Sequence, residues 1–392
     1  MTTDQTTSYG IPIPRLFYAK AFYFCFFSAM GGYIYFLSLY YKQIGMDDRQ
    51  IGLLAGMPPL ITLIGAPMWG QAYDRLRGGR WLLPAICLAT LPLVFLISQA
   101  RGFVPIALLT LVYAFLATPI GPLGDHLTLT LLADQRQRYG EQRIWGAVGF
   151  GLAAWVTGTL SERFDLWWIF VVYIAGMALC ALTAFNLGGV SISTPSGPRG
   201  AGLSILVRQR VWQLFLLSML LTGASMSAFN SFYPLFLQRL GAGEELFGFS
   251  IAIATLSELP IFFFSARLLR RLGAGGMLVL ALSVYILRWL LYSVAWTPEL
   301  ALAGQALHGL SFSALWVAGV SYAARQAPPG LGATAQGVFN GTLYGVSAIG
   351  SVAGGLIYAA AGPVVLFQVA ALTTTLALLA FLGARAAERV TR

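Results

Sequence analysis

Charged residues are scarce in this chain of 392 residues, because Asp, Glu, Lys and Arg together make up only 10% of it. Soluble globular domains contain about 25% charged residues, so a soluble multidomain protein is excluded. Lysine is the rarest of these four residue types, and neither Lys20 nor Lys42 is followed by Ser or Thr. A P-loop needs a Lys followed directly by Ser or Thr to hold the nucleotide phosphates and their Mg²⁺. An ATP-driven pump with its own nucleotide site is therefore not expected.

Cysteine and histidine are also rare, with three cysteines and two histidines in the sequence. Cys25, Cys87 and Cys180 all lie in apolar runs, which argues against a disulfide framework, and no zinc-type Cys/His spacing occurs. The sequence therefore predicts no metal site, no cofactor and no catalytic residue. The net charge of +10 comes from small basic groups between the apolar runs, so no nucleic-acid partner is predicted.

Hydrophobic residues, in contrast, make up 58% of the chain and form long runs. About 20 apolar residues are enough for one helix to cross a bilayer. The runs lie near residues 16–41, 51–72, 81–100, 104–131, 143–161, 166–187, 211–237, 246–268, 275–296, 299–323, 333–360 and 364–384. The sequence therefore predicts an all-α membrane protein with 12 transmembrane helices, embedded in a lipid bilayer.

The runs divide into two halves of six at the longest break, which is rich in Gly, Ser and Pro as flexible linkers are. We predict an N-terminal six-helix bundle over 1–187, a cytoplasmic linker over 188–210 and a C-terminal six-helix bundle over 211–392. The halves repeat each other, since Gly45 and Gly52 recur as Gly241 and Gly248. Two parallel repeats are typical of transporters that rock around a central site.

Charge asymmetry predicts the orientation, because cytoplasmic loops are enriched in Lys and Arg. Most arginines fall in the loops on the side of the N-terminus. We therefore expect an integral protein of the plasma or inner membrane with both termini in the cytoplasm. No sizeable segment outside the runs is evident, which favours a monomer.

The loop after the second run carries a recognisable motif, Gly70-Gln-Ala-Tyr-Asp74-Arg75, followed by further arginines. It resembles the cytoplasmic motif Gly-x-x-x-Asp-Arg of the major facilitator superfamily. The resemblance implies the major facilitator fold of two pseudo-symmetric six-helix bundles. It also implies that Gly70, Asp74 and Arg75 form a latch between access states; the alternative is a basic loop with a turn.

A narrower resemblance lies in residues 119–125 and 139–150, and it continues at Glu258, Arg288 and His308. These segments resemble the branch that contains lactose permease, nucleoside–proton symporters and phenylpropionate-type permeases. The resemblance covers nearly the whole chain. It is fairly specific for the branch and only weakly specific for the substrate.

The resemblance implies that Asp125 and Arg143 bind substrate as a pair, with a structural ion pair as the alternative. It also places Tyr33 and Phe150 in the substrate cavity. Phe150 stands where lactose permease has a sugar-stacking Trp, which leaves a sugar, a nucleoside or an aromatic acid open. Asn230 is a further candidate for substrate binding, and a role in helix packing is an equally good explanation for it.

Charged residues within the apolar runs indicate a functional site independently of the resemblance. One charge at the bilayer centre costs roughly 2.5–3.5 kcal/mol, so charges that are retained there usually serve a function. Glu258 is the expected partner of Arg288, and both residues and His308 are expected to contact substrate. The alternatives are a purely structural pair for Glu258 and a hydrogen-bonded core residue for His308. A carboxylate that alternates between an apolar setting and an arginine partner changes its proton affinity. Glu258, Asp125 and His308 are the candidate proton carriers, because Ser311 stands where lactose permease has its acidic carrier.

These observations predict a secondary active transporter that moves a small polar organic solute by alternating access, in symport with a proton. The alternative is an exporter of lipophilic compounds on the same fold. A membrane enzyme is not expected, because no nucleophile–base or metal constellation is evident. A receptor is not expected either, because it normally carries a sizeable soluble domain.

Overall fold

The computed structural model describes residues 13–75, 81–132, 138–187, 208–327 and 332–390. These residues are almost entirely helical and contain no strand. The helices are α1 (Ile13–Gly31), α2 (Leu37–Gln43), α3 (Asp48–Arg75), α4 (Leu82–Gln99), α5 (Phe103–Ala117), α6 (Ile120–Leu132), α7 (Tyr139–Arg163), α8 (Trp168–Leu187), α9 (Arg210–Arg239), α10 (Glu244–Ser293), α11 (Pro298–Ala306), α12 (His308–Gln326), α13 (Gly332–Asn340) and α14 (Ile349–Val390). A π-helical turn (Gly341–Gly345) and a 3₁₀ turn (Val346–Ala348) join α13 to α14.

Eight helical segments of the described chain are long and apolar enough to cross a membrane. Two of them hold a break at a glycine with positive φ, Gly273 in α10 (+64°) and Gly362 in α14 (+79°). Glycine adopts this conformation because it has no Cβ, so each break divides a long helix into two spans. Ten spans result, and α3 and the pair α1 and α2 supply two more. The predicted all-α fold with twelve spans is confirmed.

Contacts divide the chain into two compact units. Unit 1 contains the described residues within 1–44, 61–194 and 243–252. Unit 2 contains those within 45–60, 195–242 and 253–392. The predicted boundaries 1–187, 188–210 and 211–392 stay predictions, because residues 188–207 lie outside the described chain.

The sequence repeat is visible in the packing inside each unit. In unit 2, a Cβ on Gly52 would lie only 3.0 Å from the Cα of Gly355. In unit 1, a Cβ on Gly248 would collide with the backbone carbonyl of Ala154. Small residues let helix backbones approach this closely, so the repeated glycines hold equivalent contacts.

Glycines also position α1 against α7 in unit 1. A side chain on Gly31 would overlap the backbone of Phe150, and one on Gly149 would overlap the carbonyl of Phe24. This close approach brings the polar side chains of α1, α6 and α7 together at one place.

Candidate functional site

Asp125 lies on α6 and is held by two tyrosines. The helical run of the fourth span is interrupted between Ala117 and Ile120, next to Pro119, and α6 starts there. The hydroxyl of Tyr23 donates to Oδ1 of Asp125 at 2.7 Å, and that of Tyr139 donates to the same oxygen at 2.8 Å. The second oxygen, Oδ2, accepts no hydrogen bond from any described residue. One side of a half-buried carboxylate is thus available to a ligand.

Arg143 lies on α7, four residues after Tyr139, so both side chains are on the same helix face. Its guanidinium carbon lies 3.9 Å from the ring centroid of Phe27 and 5.5 Å from that of Tyr23. Within the described chain it forms neither a hydrogen bond nor an ion pair. Its five N–H donors are therefore unused by the protein.

Tyr23 connects these two groups, because its hydroxyl binds Asp125 and its ring lies beneath Arg143. The structure thus brings the predicted pair together without a direct ion pair between them. Gly146 permits the arrangement, since a Cβ there would lie 2.6 Å from Phe27 and 2.8 Å from Nη1 of Arg143. A donor-rich cation and a carboxylate acceptor together suit a ligand that both accepts and donates hydrogen bonds.

The other predicted residues of unit 1 lie in different surroundings. Tyr33 is only 1% exposed and packs among Tyr113, Phe170 and Tyr173. Phe150 is half-buried, and its ring meets Tyr35 edge-on at 5.9 Å. Their contact with substrate stays a prediction.

In unit 2, Glu258 on α10 pairs with His308 at the start of α12. Oε1 of Glu258 lies 3.4 Å from Nε2 of His308, and the side chains are 17% and 20% exposed. The imidazole stacks on Phe312 with centroids 5.2 Å apart. Its Nδ1 is buried and has no partner among the described residues. The pair can share a proton in a mostly enclosed place.

The approach of α10 to α12 fixes that pair. The N–H of Gly309 donates to Oγ of Ser257 at 2.8 Å. A Cβ on Gly309 would overlap the carbonyl of Ser257. Ser257 and Gly309 are the neighbours of Glu258 and His308 in sequence, so the seam between the helices sets the distance between the carboxylate and the imidazole.

Gly309→Ala is therefore expected to force α10 and α12 apart and to destabilise the protein by about 1–3 kcal/mol, the usual range for overpacking. Gly337→Ala is the matched control, because a Cβ there meets nothing within 4 Å. Thermal unfolding of the purified variants measures the difference. Equal stability of the two variants would contradict the close contact at Gly309.

The predicted partnership of Glu258 with Arg288 is wrong in this structure, because neutral groups surround the arginine. Arg288 is 1% exposed. Its acceptors are the carbonyl of Gly304 (2.8 Å), Oγ of Ser311 (2.8 Å), the hydroxyl of Tyr292 (3.2 Å) and Oε1 of Gln305 (3.0 Å). Ser311, which stands where lactose permease has its acidic carrier, thus accepts a hydrogen bond from the arginine.

Four aromatic rings complete the surroundings of Arg288. They belong to Phe229, Tyr285, Trp289 and Tyr292, with centroids 5.5–5.8 Å from its guanidinium carbon. Cation–π contacts and four hydrogen bonds hold the buried cation without a carboxylate. Arg288 therefore connects α10 with α11 and α12, and its contact with substrate stays a prediction.

Arg288→Leu is expected to lower the free energy of unfolding by about 3 kcal/mol or more, since it leaves several buried acceptors without a donor. Arg267→Leu, at an exposed position of the same helix, is expected to stay within about 0.5 kcal/mol of the unchanged protein. Chemical or thermal unfolding in detergent gives both values. A fully stable Arg288→Leu would show that the network does not hold the unit.

Two sets of predicted residues are less defined. Asn230 on α9 is half-buried and makes no hydrogen bond to a described residue. The backbone of α3 runs to Arg75, but at Gly70, Asp74 and Arg75 the structure describes only the backbone. The latch therefore stays a prediction.

The sequence did not identify Tyr23, Tyr139 or Phe27 as members of the site. Tyrosine and phenylalanine are common in apolar runs, so composition gave no reason to select them. The spacing of four residues between Tyr139 and Arg143 was the one available signal.

Comparison with known proteins identifies the family and supports the fold. The family model of the MFS_1 like family matches residues 16–369. The maltose permease of Geobacillus stearothermophilus is 27% identical over 328 residues, covering 83% of this chain and 83% of the permease. The probable 3-phenylpropionic acid transporter of Escherichia coli (strain K12) is 29% identical over 352 residues, covering 86% and 89%.

The crystal structure of the nucleoside transporter NupG superposes with a TM-score of 0.83 at 18% identity, covering 95% of this chain and 99% of that one. This likeness shows the fold, and the family match extends over most of the chain. The chain therefore belongs to the MFS_1-like family of major facilitator superfamily membrane transporters.

Proposed function

We propose that this transporter takes up a small hydroxylated solute, such as a sugar or a nucleoside, in symport with a proton. Support comes above all from the unused guanidinium of Arg143 and the free oxygen of Asp125, two groups that both lie at Tyr23. A hydroxyl accepts from arginine and donates to a carboxylate, so neighbouring hydroxyls of one solute satisfy both residues.

The charge at this place favours a neutral solute over an aromatic acid. An acid would pair with Arg143 but would meet the repulsion of Asp125. The relatives' names include a sugar permease, a phenylpropionic acid transporter and a nucleoside transporter. An aromatic acid is therefore tested as a substrate as well. We expect the acid to bind less well than a neutral solute, because its carboxylate would be repelled by that of Asp125.

We assign the proton to the pair of Glu258 and His308. The carboxylate and the imidazole lie 3.4 Å apart in a mostly enclosed contact, which is close enough for a proton to pass between them. Ser311 carries a hydroxyl and not a carboxylate, and this hydroxyl accepts a hydrogen bond from Arg288. Asp125 is the second candidate proton carrier. Asp125→Asn distinguishes its two possible roles: loss of solute binding assigns it to the substrate site, and loss of proton coupling alone assigns it to the proton.

We propose alternating access, with Gly70, Asp74 and Arg75 as the latch. We propose a monomer in the plasma or inner membrane, with both termini cytoplasmic. A C-terminal reporter that is active only in the cytoplasm tests the orientation.

Uptake into proteoliposomes tests the function. The panel contains labelled maltose, a nucleoside, phenylpropionate and a lipophilic dye, each with and without an inwardly directed proton gradient. We expect one hydroxylated solute to accumulate and a protonophore to abolish that accumulation. Transport of the lipophilic dye alone would overturn the proposal in favour of an exporter.

A further inference from the structure

A second polar place lies in unit 2, apart from the pair of Glu258 and His308. A cavity of about 240 Å³ opens where the break of α10 meets the ends of α12 and α14. We call it the arginine cavity; its lining includes Gly273, Gly275, Gly276, Arg325, Arg385 and Arg389. This volume is below that of sites for drug-sized ligands, so it suits a small group.

The charges of the arginine cavity do not cancel. Arg325 lies 3.3 Å from one oxygen of Glu388, and the hydroxyl of Tyr322 donates to the other at 3.2 Å. This acid is thereby engaged. Arg385 is half-buried and Arg389 exposed, and neither has a hydrogen bond or ion pair within the described chain. Two guanidinium groups at one cavity are available to an anion.

The glycine break adds backbone donors to the same cavity. Gly273 interrupts α10 with φ of +64° and ψ of 165°. The helix that restarts after it leaves its first N–H groups without a helical acceptor, at the positive end of the helix dipole. A Cβ on Gly275 would lie 3.2 Å from Nε of Arg385, so the absence of a side chain lets the arginine lie against this helix start.

We propose that the arginine cavity binds a phosphate group. Guanidinium forks and helix N-terminal N–H groups both match phosphate oxygens, and here they line one cavity. The group is supplied either by the headgroup of an anionic phospholipid or by soluble phosphate. Leu272, a lining residue that is 44% exposed, offers apolar surface to an acyl chain. This binding is separate from the proposed transport.

Two probes test the proposal on the full-length protein. Native mass spectrometry measures retention of phosphatidylglycerol from mixed micelles with phosphatidylcholine. Thermal unfolding in lipid-free detergent measures stabilisation by inorganic phosphate against chloride at equal ionic strength. The variants are Arg385→Gln and Arg389→Gln, the second at an exposed side chain whose loss leaves the fold intact. Arg267→Gln, which is exposed and outside the cavity lining, is the control.

We expect Arg385→Gln to weaken binding of phosphatidylglycerol or phosphate at least tenfold, Arg389→Gln to weaken it less, and Arg267→Gln to leave it unchanged. Binding of only one probe supports the site and identifies its source. Equal binding by all proteins, or equal loss in Arg267→Gln, overturns the proposal, because it indicates general attraction to positive charge. Failure of both probes to bind the unchanged protein overturns it as well.

Discussion

Replacing Arg143 with glutamine is expected to abolish solute uptake, with a loss of about 100-fold or more, while the protein still inserts and folds. Arg143 forms no hydrogen bond to the described protein and only stacks on Phe27 and Tyr23. Folding therefore loses little, about 0.5–2 kcal/mol for a cation–π contact at a half-buried arginine. The solute loses charge-assisted hydrogen bonds of about 3 kcal/mol, which correspond to roughly 100-fold in affinity.

Two variants make this result specific. Arg138→Gln removes a nearby arginine that pairs with Glu141 at 3.0 Å, and we expect it to transport normally. Arg143→Lys keeps the charge but loses the planar fork, so partial uptake is expected. Initial rates in proteoliposomes, corrected for the amount of protein, provide the comparison. Normal uptake by Arg143→Gln would remove the guanidinium from the substrate site.

Glu258→Gln is expected to uncouple solute from proton while sparing solute exchange. The amide keeps the size of the side chain and its place beside His308, but it no longer carries a proton. Substrate-driven alkalinisation and gradient-driven accumulation should therefore disappear. Exchange of labelled for unlabelled solute across the membrane should persist at a similar rate, because it needs no net proton movement.

The control for this prediction is Glu299→Gln, which removes an exposed carboxylate of the same unit. It should keep both coupling and exchange. His308→Gln should resemble Glu258→Gln if the two residues act as one proton site. Substrate-driven alkalinisation that survives in Glu258→Gln would assign the proton elsewhere, with Asp125 as the next candidate.

Hydropathy and turn residues predict the spans well, for a physical reason. Backbone groups in a bilayer must be satisfied within each helix, so length and apolarity nearly determine the secondary structure. The break at Gly362 illustrates this, because the Gly362-Pro363 pair marks it in the sequence and the structure places positive φ there.

The partners of the polar residues are harder to predict. Charge alone favours Glu258 for Arg288, but the sequence does not show how each helix is rotated. It also gives no weight to neutral acceptors such as Ser311 and Gln305, which hold the arginine in the structure. Glu258 consequently lies against His308.

The contacts of Asp125 and Arg143 are also beyond what the sequence determines. The resemblance selected both residues, and the structure brings both to Tyr23. The sequence left a direct ion pair open, because spacing along two helices does not distinguish a pair in contact from a pair bridged by a tyrosine. The unused donors of Arg143 are visible only in the folded chain.

Ligand binding to the purified protein tests most directly the claim that a polar solute binds at Arg143. The measurement is thermal unfolding of the unchanged protein and of Arg143→Gln with sugars, nucleosides, aromatic acids and lipophilic drugs. A ligand at 100 times its Kd adds about 2.7 kcal/mol to a reversible unfolding equilibrium, so hits are ranked by the shift. We predict stabilisation by a sugar or a nucleoside that disappears in Arg143→Gln. Stabilisation by lipophilic drugs alone, unchanged in Arg143→Gln, would contradict the account.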